Sequence, residues 1–326
     1  MAKIMGIGNA LVDVIVNLPD EKILHSFGLC KGGMEMINED TKRKLHQAIA
    51  QMKQVRATGG STSNTIHGIA HLGGDTGFIG KVGNDEMGTF FEEDMKKSGI
   101  TPYLIHTSEM DTGIATTLMT SDAERTFATY LGAASAMLES EIDTEILKNY
   151  DYIHVEGYLI FNHELILRAC QLAKSLNLKI SMDMASYNLV ESQRDFVTTL
   201  LRDYVDIIFA NEDEARSFTG KDEEEALDVL SQYCEVAVVK LGAKGSIANI
   251  RGKKVAAGTN GKKPVDTNGA GDAFAAGFLF GLMQGFTPEK IIRLASAVGD
   301  EAVATIGAKL SVNQWNTVKS KKELFC

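Results

Sequence analysis

The residues best suited to chemistry lie in one stretch, from Asp266 to Asp272 (DTNGAGD). Gly269, Ala270 and Gly271 lead directly into an apolar segment that predicts a helix. The N–H groups of a helix's first turn have no partners within the helix, and the helix dipole favours negative charge beside them. Asp272 lies in that first turn, where a carboxylate can accept the proton of an attacking hydroxyl. The stretch therefore predicts an anion hole with a general base next to it.

Other positions carry polar groups or glycines where a ligand could bind. Asp13 lies in an alternating segment that predicts a half-exposed strand, and its carboxylate can accept two hydrogen bonds from a vicinal diol. Gly59 and Gly60 precede a predicted helix and let the backbone approach a ligand closely. Asn211 ends a predicted strand, which is where ligands bind in open α/β sheets. On residue type alone, the default is a solvated carboxylate for Asp13 and a satisfied helix polar group for Asn64.

Two common phosphate-binding motifs are absent from the sequence. It contains no Gly-x-x-x-x-Gly-Lys-Ser/Thr, and no Gly-x-Gly-x-x-Gly follows the first predicted strand. Both a Walker-type NTPase and a standard dinucleotide-binding fold are therefore disfavoured.

Four motifs together resemble those of the ribokinase-like (PfkB) kinases, in the expected order and over essentially the whole chain. They are GNALVD from Gly8 to Asp13, GGSTSN from Gly59 to Asn64, NEDE from Asn211 to Glu214, and DTNGAGD from Asp266 to Asp272. The last motif is the most specific, whereas Asn-x-x-Glu alone would be weak. Within the family, the second and fourth motifs are most similar to those of adenosine kinases.

The resemblance implies a role for each matching residue. Asp272 would be the catalytic base, beside an anion hole formed by Gly269, Ala270 and Gly271. The hydroxyl groups of the acceptor would bind Asn9, Asp13, Gly60 and Asn64. Asn211 and Glu214 would organise Mg²⁺ through water, and hence the ATP phosphates, with no direct protein ligand on the metal. A loop containing Gly242 and Gly245 would border the nucleotide base, and Arg125 could reach the transferred phosphate, although a surface charge is an alternative for Arg125.

The expected function is Mg·ATP-dependent phosphoryl transfer to a primary hydroxyl, and three alternatives differ in what is bound. A nucleoside kinase, with adenosine as the acceptor, needs apolar walls for the base, and by the resemblance Leu11, Phe127 and Tyr158 fall there. A sugar kinase of the ribokinase or fructokinase type would have more polar groups at those positions. The third alternative, a non-catalytic ligand-binding regulator, is disfavoured by the intact motif around Asp272.

The elements that position these motifs predict a three-layer α/β/α fold with a mainly parallel central sheet. Strands and helices alternate from Tyr152 onward, which is typical of βαβ units. The predicted strands are Tyr152–Val155, Leu178–Met182, Val205–Ala210 and Val236–Lys240, and the predicted helices are Ser61–Leu72, His163–Leu176, Leu189–Leu201, Glu223–Tyr233, Gly269–Met283 and Pro288–Thr305. A hairpin is expected at 246–257. We expect one kinase domain over residues 1–326, with a small discontinuous β lid from about 13–40 and 100–130 that includes a turn at Ser121 to Glu124.

Composition narrows the expected partners. The 326 residues carry a net charge of −10, which disfavours nucleic acid as a partner. No apolar run is long enough for a membrane span or a secretory signal, so we expect a cytoplasmic protein with its four cysteines reduced. ATP and a small nucleoside or sugar are the expected partners of a monomer or homodimer. A monovalent cation such as K⁺ could bind at Asp266 and the Ala304–Ser311 segment, as in many family members.

Overall fold

The structure is a computed structural model that describes residues 2–122, 124–262, 264–305 and 307–325. The strands are β1 (Lys3–Ile7), β2 (Leu11–Asn17), β3 (Met34–Met36), β4 (Gln54–Gly59), β5 (Asp75–Gly83), β6 (Thr101–Thr107), β7 (Gly113–Met119), β8 (Arg125–Tyr130), β9 (Tyr152–Val155), β10 (Lys179–Asp183), β11 (Ile207–Asn211), β12 (Val236–Lys240), β13 (Ser246–Ile250) and β14 (Lys253–Ala257). The helices are α1 (Lys22–Ser26), α2 (Glu39–Ile49), α3 (Ser61–Leu72), α4 (Glu86–Lys97), α5 (Thr144–Leu147), α6 (His163–Ser175), α7 (Tyr187–Ser192), α8 (Arg194–Asp203), α9 (Glu212–Thr219), α10 (Glu223–Leu230), α11 (Ala270–Met283), α12 (Pro288–Ala302) and α13 (Val312–Ser320). Short 3-10 turns complete the described chain.

The large sheet has nine strands in the described residues, in the order β14-β13-β12-β11-β10-β9-β1-β5-β6. Strands β12 through β6 in this order run parallel, and β13 and β14 add an antiparallel hairpin at one edge. Alternate residues of β11 enter two different cores: Phe209 packs in one and Ile208 in the other. Helices therefore cover both faces of the sheet, and the three-layer α/β/α fold is confirmed.

The small sheet has five strands in the described part of the chain, in the order β3-β8-β7-β2-β4. Its boundaries differ from the expected lid in two places. Strand β6 lies in the large sheet, paired in parallel with β5, although it falls within the expected 100–130 insertion. Strand β4 pairs with β2, although it lies outside 13–40. Its sequence, QVRATG, is largely polar and half-exposed, because only its last two residues are buried, so it carries little apolar periodicity.

Each of the six predicted helices forms, and one of them is divided. The helix predicted over Leu189–Leu201 is in fact two helices, α7 and α8, because the backbone of Gln193 leaves the helical region at φ −122° and ψ 23°. Helix α9 was not predicted, because its first turn is a run of acids that we assigned to a binding motif. The turn predicted at Ser121 to Glu124 includes Ala123, which lies outside the described residues. No described helix is both long and apolar enough to cross a membrane.

Helices α3 and α11 pack closely together and bring two of the predicted motifs into one place. A Cβ added at Gly68 of α3 would lie only 2.5 Å from the Cβ of Ala276 in α11, so a larger residue at either position would force the helices apart. Both helices begin near the carboxyl edge of the large sheet. Their first turns, which carry Ser61, Asn64 and Asp272, therefore face each other.

Candidate active site

The carboxylate of Asp272 is fixed by two side chains from the start of α3. Ser61 Oγ donates a hydrogen bond to Oδ1 at 2.7 Å, and Asn64 Nδ2 donates to Oδ2 at 2.9 Å. Burial raises the pKa of Asp272 to about 6 against the lowering effect of these two hydrogen bonds. A carboxylate with this pKa is ionised at neutral pH yet basic enough to take a proton.

Helix α11 begins directly after Gly269, and one N–H of its first turn already donates a hydrogen bond. Gly269 is the N-cap residue in the left-handed conformation, at φ 72°, and a Cβ there would lie 2.5 Å from the Cβ of Ala308. The N–H of Ala270 donates to the carbonyl of Thr267 at 3.2 Å. The first intrahelical bond runs from Ala273 N–H to Gly269 O at 2.9 Å. The N–H groups of Gly271 and Asp272 precede that bond and have no partner within the helix.

Asp13 lies on β2, where the backbone of β4 approaches it closely. A Cβ at Gly59 would lie 2.2 Å from its Oδ1, so only glycine leaves room for the carboxylate. The pKa of Asp13 is raised to about 7, chiefly by burial and in part by the charge of nearby Asp272, while Lys309 acts to lower it. Asp13 and Asp272 are thus close enough for their charges to interact across the site.

Asn9 and the start of α3 are joined by a carboxylate that the sequence analysis missed. Asn9 Nδ2 donates to Glu156 Oε1 at 2.5 Å, and the N–H of Thr62 donates to Glu156 Oε2 at 3.2 Å. Glu156 is buried, and burial raises its pKa to about 7. Gly60 adopts φ 94°, and a Cβ there would lie 2.2 Å from the carbonyl oxygen of Asn9. The only signal for Glu156 was its position directly after β9.

One face of the small sheet carries Asp13. On β2, Leu11, Asp13 and Ile15 alternate with three valines that are fully buried in the core behind the sheet. A Cβ at Gly307 would lie 3.6 Å from Ile15 Cδ1, so this face meets the segment after α12. Phe127 is partly buried on β8 and shares the partner Thr117 of β7 with Ile15. Apolar side chains thus lie next to Asp13 on this face.

Tyr158 lies in a 3-10 turn after β9, away from the small sheet in sequence but close to the acids of the site. Its hydroxyl donates to the carbonyl of Ala185 at 3.3 Å. Burial, together with the charges of Asp183 and Glu214, raises the pKa of Tyr158 to about 12. Its ring is partly buried beside the carboxyl edge of the large sheet.

Arg125 connects the small sheet to the stretch before α11. Its guanidinium forms an ion pair with Asp266, whose oxygens also accept from the N–H groups of Asn268 at 2.9 Å and Gly307 at 2.6 Å. Burial would raise the pKa of Asp266, but the guanidinium of Arg125 and these backbone hydrogen bonds outweigh it and lower the pKa. The carboxylate expected at a monovalent-cation site is thus paired with an arginine. Ile306, within the segment expected to complete that site, lies outside the described residues.

Asn211 and Glu214 form a reciprocal cap at the start of α9. Asn211 Oδ1 accepts from the N–H of Glu214 at 2.9 Å, while Glu214 accepts from the N–H and side-chain amide of Asn211, both at 2.8 Å. Burial raises the pKa of Glu214 to about 7. The Asn-x-x-Glu spacing therefore forms a capping box, which stabilises the start of α9. No described group of three or more His, Cys, Asp or Glu side chains is arranged to hold a metal ion directly.

The carboxyl edge of the large sheet also carries an ion pair that the sequence analysis missed. Lys240, the last residue of β12, places its Nζ 2.8 Å from Oδ2 of Asp183, the last residue of β10. Beyond Lys240, the loop 241–245 turns the chain into β13, and Leu241 N–H donates to Gly245 O at 2.8 Å. Gly242, the other predicted loop glycine, is exposed.

The family model for "pfkB family carbohydrate kinase" matches residues 24–315, most of the chain. The chain belongs to this family. It is a phosphotransferase that binds ATP and a small sugar or nucleoside, because these properties define the family's kinases.

This pfkB-family kinase resembles proteins with different acceptors in their names. It is 28% identical over 293 residues to 5-dehydro-2-deoxygluconokinase of Bacillus subtilis, covering 85% of this chain and 89% of the relative. A probable sugar kinase from Rhizobium etli superposes with a TM-score of 0.88 at 28% identity, covering 99% of both chains. Adenosine kinase from Sinorhizobium meliloti superposes with a TM-score of 0.86 at 30% identity, covering 98% of this chain and 99% of the other. The names of these relatives do not decide between a sugar and a nucleoside acceptor, so the residues of the site must be compared with each.

Proposed function

We propose that this kinase transfers the γ-phosphoryl group of ATP to the 5′-hydroxyl of a nucleoside, with adenosine as its preferred acceptor. The observation that carries the proposal is the face of the small sheet next to Asp13. Leu11 and Ile15 flank the carboxylate on β2, and Phe127 lies two strands away on β8. A diol bound by Asp13 would thus have an apolar surface beside it, as an aromatic base requires. The similarity to an adenosine kinase from Sinorhizobium meliloti agrees with this choice.

Asp272 is the general base of the proposed reaction. It takes the proton of the acceptor's primary hydroxyl, while Ser61 and Asn64 hold its two oxygens in one orientation. The incoming phosphoryl group lies against the N-terminus of α11, where Gly269, Ala270 and Gly271 allow close approach and the helix dipole stabilises negative charge.

The acceptor's ribose hydroxyls bind beside the carboxylate of Asp13, with Asn9, Gly60 and Asn64 at the same end of the site. Two features support this arrangement. The Oδ1 atom of Asn64 is buried without a hydrogen-bond partner among the described residues, so it can accept from a ligand hydroxyl. Asp13 is held close to Gly59 and interacts with the charge of Asp272, so a diol bound by it lies near the base.

The ATP end of the site is formed by the carboxyl edges of β11 and β12. Bound Mg·ATP supplies the transferable phosphoryl group, and Mg²⁺ neutralises charge on its phosphates. Asn211 and Glu214 act on the metal through its water shell. Contact through water suits Glu214, because its carboxylate already accepts two hydrogen bonds from Asn211. The loop containing Gly242 and Gly245 borders the adenine, and Arg125, paired with Asp266, lies beside the phosphates.

A sugar acceptor is the second candidate, and one observation favours it. The amide of Asn9 is held by the buried carboxylate of Glu156, so the inner end of the site is polar and could bind several sugar hydroxyls. The names of the Bacillus subtilis and Rhizobium etli relatives agree with that reading.

An acceptor panel tests the proposal. ADP release is measured with Mg·ATP and adenosine, inosine, guanosine, ribose or fructose in turn, and the product is located by mass spectrometry. We expect adenosine to have the highest kcat/KM, with the phosphate on its 5′-oxygen. A higher kcat/KM for ribose or fructose than for every nucleoside would establish the sugar-kinase alternative instead.

A further inference from the structure

Lys240 places a positive charge at the edge of the sheet that faces the start of α11. It ends β12 beside Asn211 of β11, and its side chain is only 17% exposed. Burial would lower the pKa of Lys240, but the charges of Asp183, Glu214 and Asp272 outweigh it and raise the pKa. The ammonium is therefore protonated throughout the physiological range, close to three acids.

The ammonium of Lys240 also lies against the N-terminus of α11. A Cβ added at Gly271 would be 3.1 Å from Nζ, so the ammonium reaches the backbone of the first helical turn. The N-terminal end of a helix carries partial positive charge, and a cation is unfavourable there unless an anion lies between the two. Asp183 compensates the ammonium from the side of the sheet, at 2.8 Å. An ammonium has three hydrogens to donate, so the pair with Asp183 leaves donors for a second anion.

We propose that Lys240 binds the γ-phosphoryl group of the bound nucleoside triphosphate, and that Asp183 is a positioning residue that holds its ammonium. This inference rests on the proposed role of the α11 N-terminus as the anion hole. In the transfer step, the bond between the γ-phosphorus and the β–γ bridging oxygen breaks, and its electron pair stays on ADP. A bond forms from the acceptor oxygen to the γ-phosphorus, and the acceptor's proton goes to Asp272. Lys240 keeps its three hydrogens and neutralises charge on the phosphoryl oxygens.

The test compares two nucleotides and needs no acceptor. Lys240→Met keeps the apolar stem and removes the charge. Titration calorimetry measures the binding of Mg²⁺ with a non-hydrolysable β,γ-methylene ATP analogue, and of Mg·ADP, to each variant. We expect the variant to bind the triphosphate roughly 10- to 100-fold more weakly, as for a lost charged hydrogen bond, and Mg·ADP about equally well. Equal losses for both nucleotides, or no loss, would overturn the proposal.

A double variant separates phosphate binding from simple neutralisation of Asp183. Lys240→Met leaves a partly buried carboxylate without its cation, which could reduce binding or folding by itself. Asp183→Asn/Lys240→Met removes both charges. We expect the double variant to remain defective in triphosphate binding, because the ligand to the γ-phosphoryl group is still missing. If the double variant regains the wild-type preference for triphosphate over ADP, Lys240 serves only Asp183 and the proposal is wrong.

Lys179→Met is the matched control. Lys179 also forms ion pairs within the large sheet, with Asp206 at 3.2 Å and with Glu235 at 3.0 Å. It is the first residue of β10, however, and so lies at the opposite edge of the sheet from Lys240. We expect its nucleotide affinities to match those of the wild type. If the wild-type protein binds the triphosphate but phosphorylates no acceptor, the proposed function is wrong. The effect of Lys240→Met on triphosphate and ADP affinity would still test the role of Lys240.

Discussion

The side-chain amide of Asn64 donates to Oδ2 of Asp272 at 2.9 Å, which joins the first turn of α3 to the first turn of α11. Together with Ser61, this bond fixes the carboxylate in one rotamer and favours its ionised form. Burial acts in the opposite direction and is the larger effect, so the pKa of Asp272 rises to about 6. The same pair therefore determines both where the proposed base points and the pH at which it works.

The first prediction is that Asp272→Asn folds and binds Mg·ATP but turns over poorly. Asparagine keeps the shape of the side chain but cannot take a proton, and loss of a general base typically costs ~10²–10⁴-fold in rate. Steady-state kinetics measures kcat, and calorimetry measures nucleotide binding. Asp203→Asn, on the exposed end of α8 and paired with Arg202, is the control and should leave kcat unchanged. Near-normal turnover by the purified Asp272→Asn variant would exclude Asp272 as the base.

The second prediction concerns pH. If Asp272 must be ionised, kcat at saturating acceptor should rise as the pH increases through about 6 and then level off, because the pKa of Asp272 is raised to that value, whereas kcat/KM also depends on Asp13, whose pKa is raised to about 7. Asn64→Ala removes a hydrogen bond that lowers this pKa, so the acid limb of the profile should move to higher pH. A structural role for Asn64 alone would lower the rate at every pH without moving the limb. An unmoved limb would show that the titrating group is not held by Asn64.

The third prediction is that Asp13→Ala raises the KM of the acceptor and leaves Mg·ATP affinity nearly unchanged. Losing a charged hydrogen-bond acceptor costs roughly 1.5–3 kcal/mol, which is roughly a 10- to 150-fold loss of acceptor affinity. Acceptor KM and nucleotide Kd are measured separately. If nucleotide affinity falls and acceptor KM does not, Asp13 belongs to the nucleotide end of the site.

Asp13 also carries a cost in stability that depends on pH. Its pKa is raised from 3.8 to about 7 in the folded protein, so its favourable contribution is complete below pH 4 and is lost as the pH rises through 7. Asp13→Asn cannot ionise and avoids this loss. We expect it to raise Tm by about 1–2 °C at pH 8, the shift for ~1 kcal/mol in a chain of this length, and to have little effect at pH 4. Thermal unfolding of both proteins at the two pH values measures the difference, and equal Tm differences at both would contradict the assignment.

The parts of the fold that the sequence predicted share a strong local signal. Strands β11 and β12 each begin with four apolar residues, and α3 and α11 begin directly after glycine motifs, so apolar runs and glycine signals define them. Strand β4 could not be predicted, because its six residues are mostly polar and it exists only through pairing with β2. Its position in the small sheet is a property of the tertiary structure.

The candidate site was predictable where motifs are dense and not where single residues act. The stretch around Asp272 carries small residues and an acid in one helical turn, which indicates a site by itself. Glu156, Asp183 and Lys240 are single polar residues at or directly after the carboxyl ends of three strands, and the contacts that place them in the site, Asn9 with Glu156 and Asp183 with Lys240, join residues distant in the chain. The rule that ligands bind at this edge of a parallel sheet would have singled them out once the strand order was known.

The fifth prediction separates metal binding from helix capping at Asn211 and Glu214. Glu214→Gln weakens the capping box and removes a charge that would act on Mg²⁺ through water, so the Mg²⁺ concentration needed for half-maximal activity should rise. The chain offers a matched control, since Ser311 and Gln314 form the same box at the start of α13. Gln314→Ala should lower Tm without changing the Mg²⁺ profile. If Glu214→Gln behaves like Gln314→Ala, the motif has a structural role only.

The last prediction tests whether an apolar surface selects the acceptor. Asp13 would bind the diol of a nucleoside or of a sugar, so the discrimination must come from side chains beside it. Phe127 is partly buried on β8, and burial of a base against it and Leu11 contributes about 25 cal/mol per Å² of apolar area. A few kcal/mol realised in the transition state corresponds to roughly two or three decades in rate, since each 1.36 kcal/mol is about tenfold.

Phe127→Ala should therefore lower kcat/KM for adenosine toward that for ribose, while slow turnover of ribose is spared. Phe286→Ala is the control, because Phe286 is also a partly buried ring but packs against Phe280 beyond the far end of α11. It should reduce stability without changing the ratio of the two kcat/KM values. That ratio is the decisive measurement, because a general loss of folded enzyme lowers both values equally. If Phe127→Ala lowers adenosine and ribose turnover by the same factor, its ring does not contact the base, and the preference for a nucleoside must come from another wall of the site.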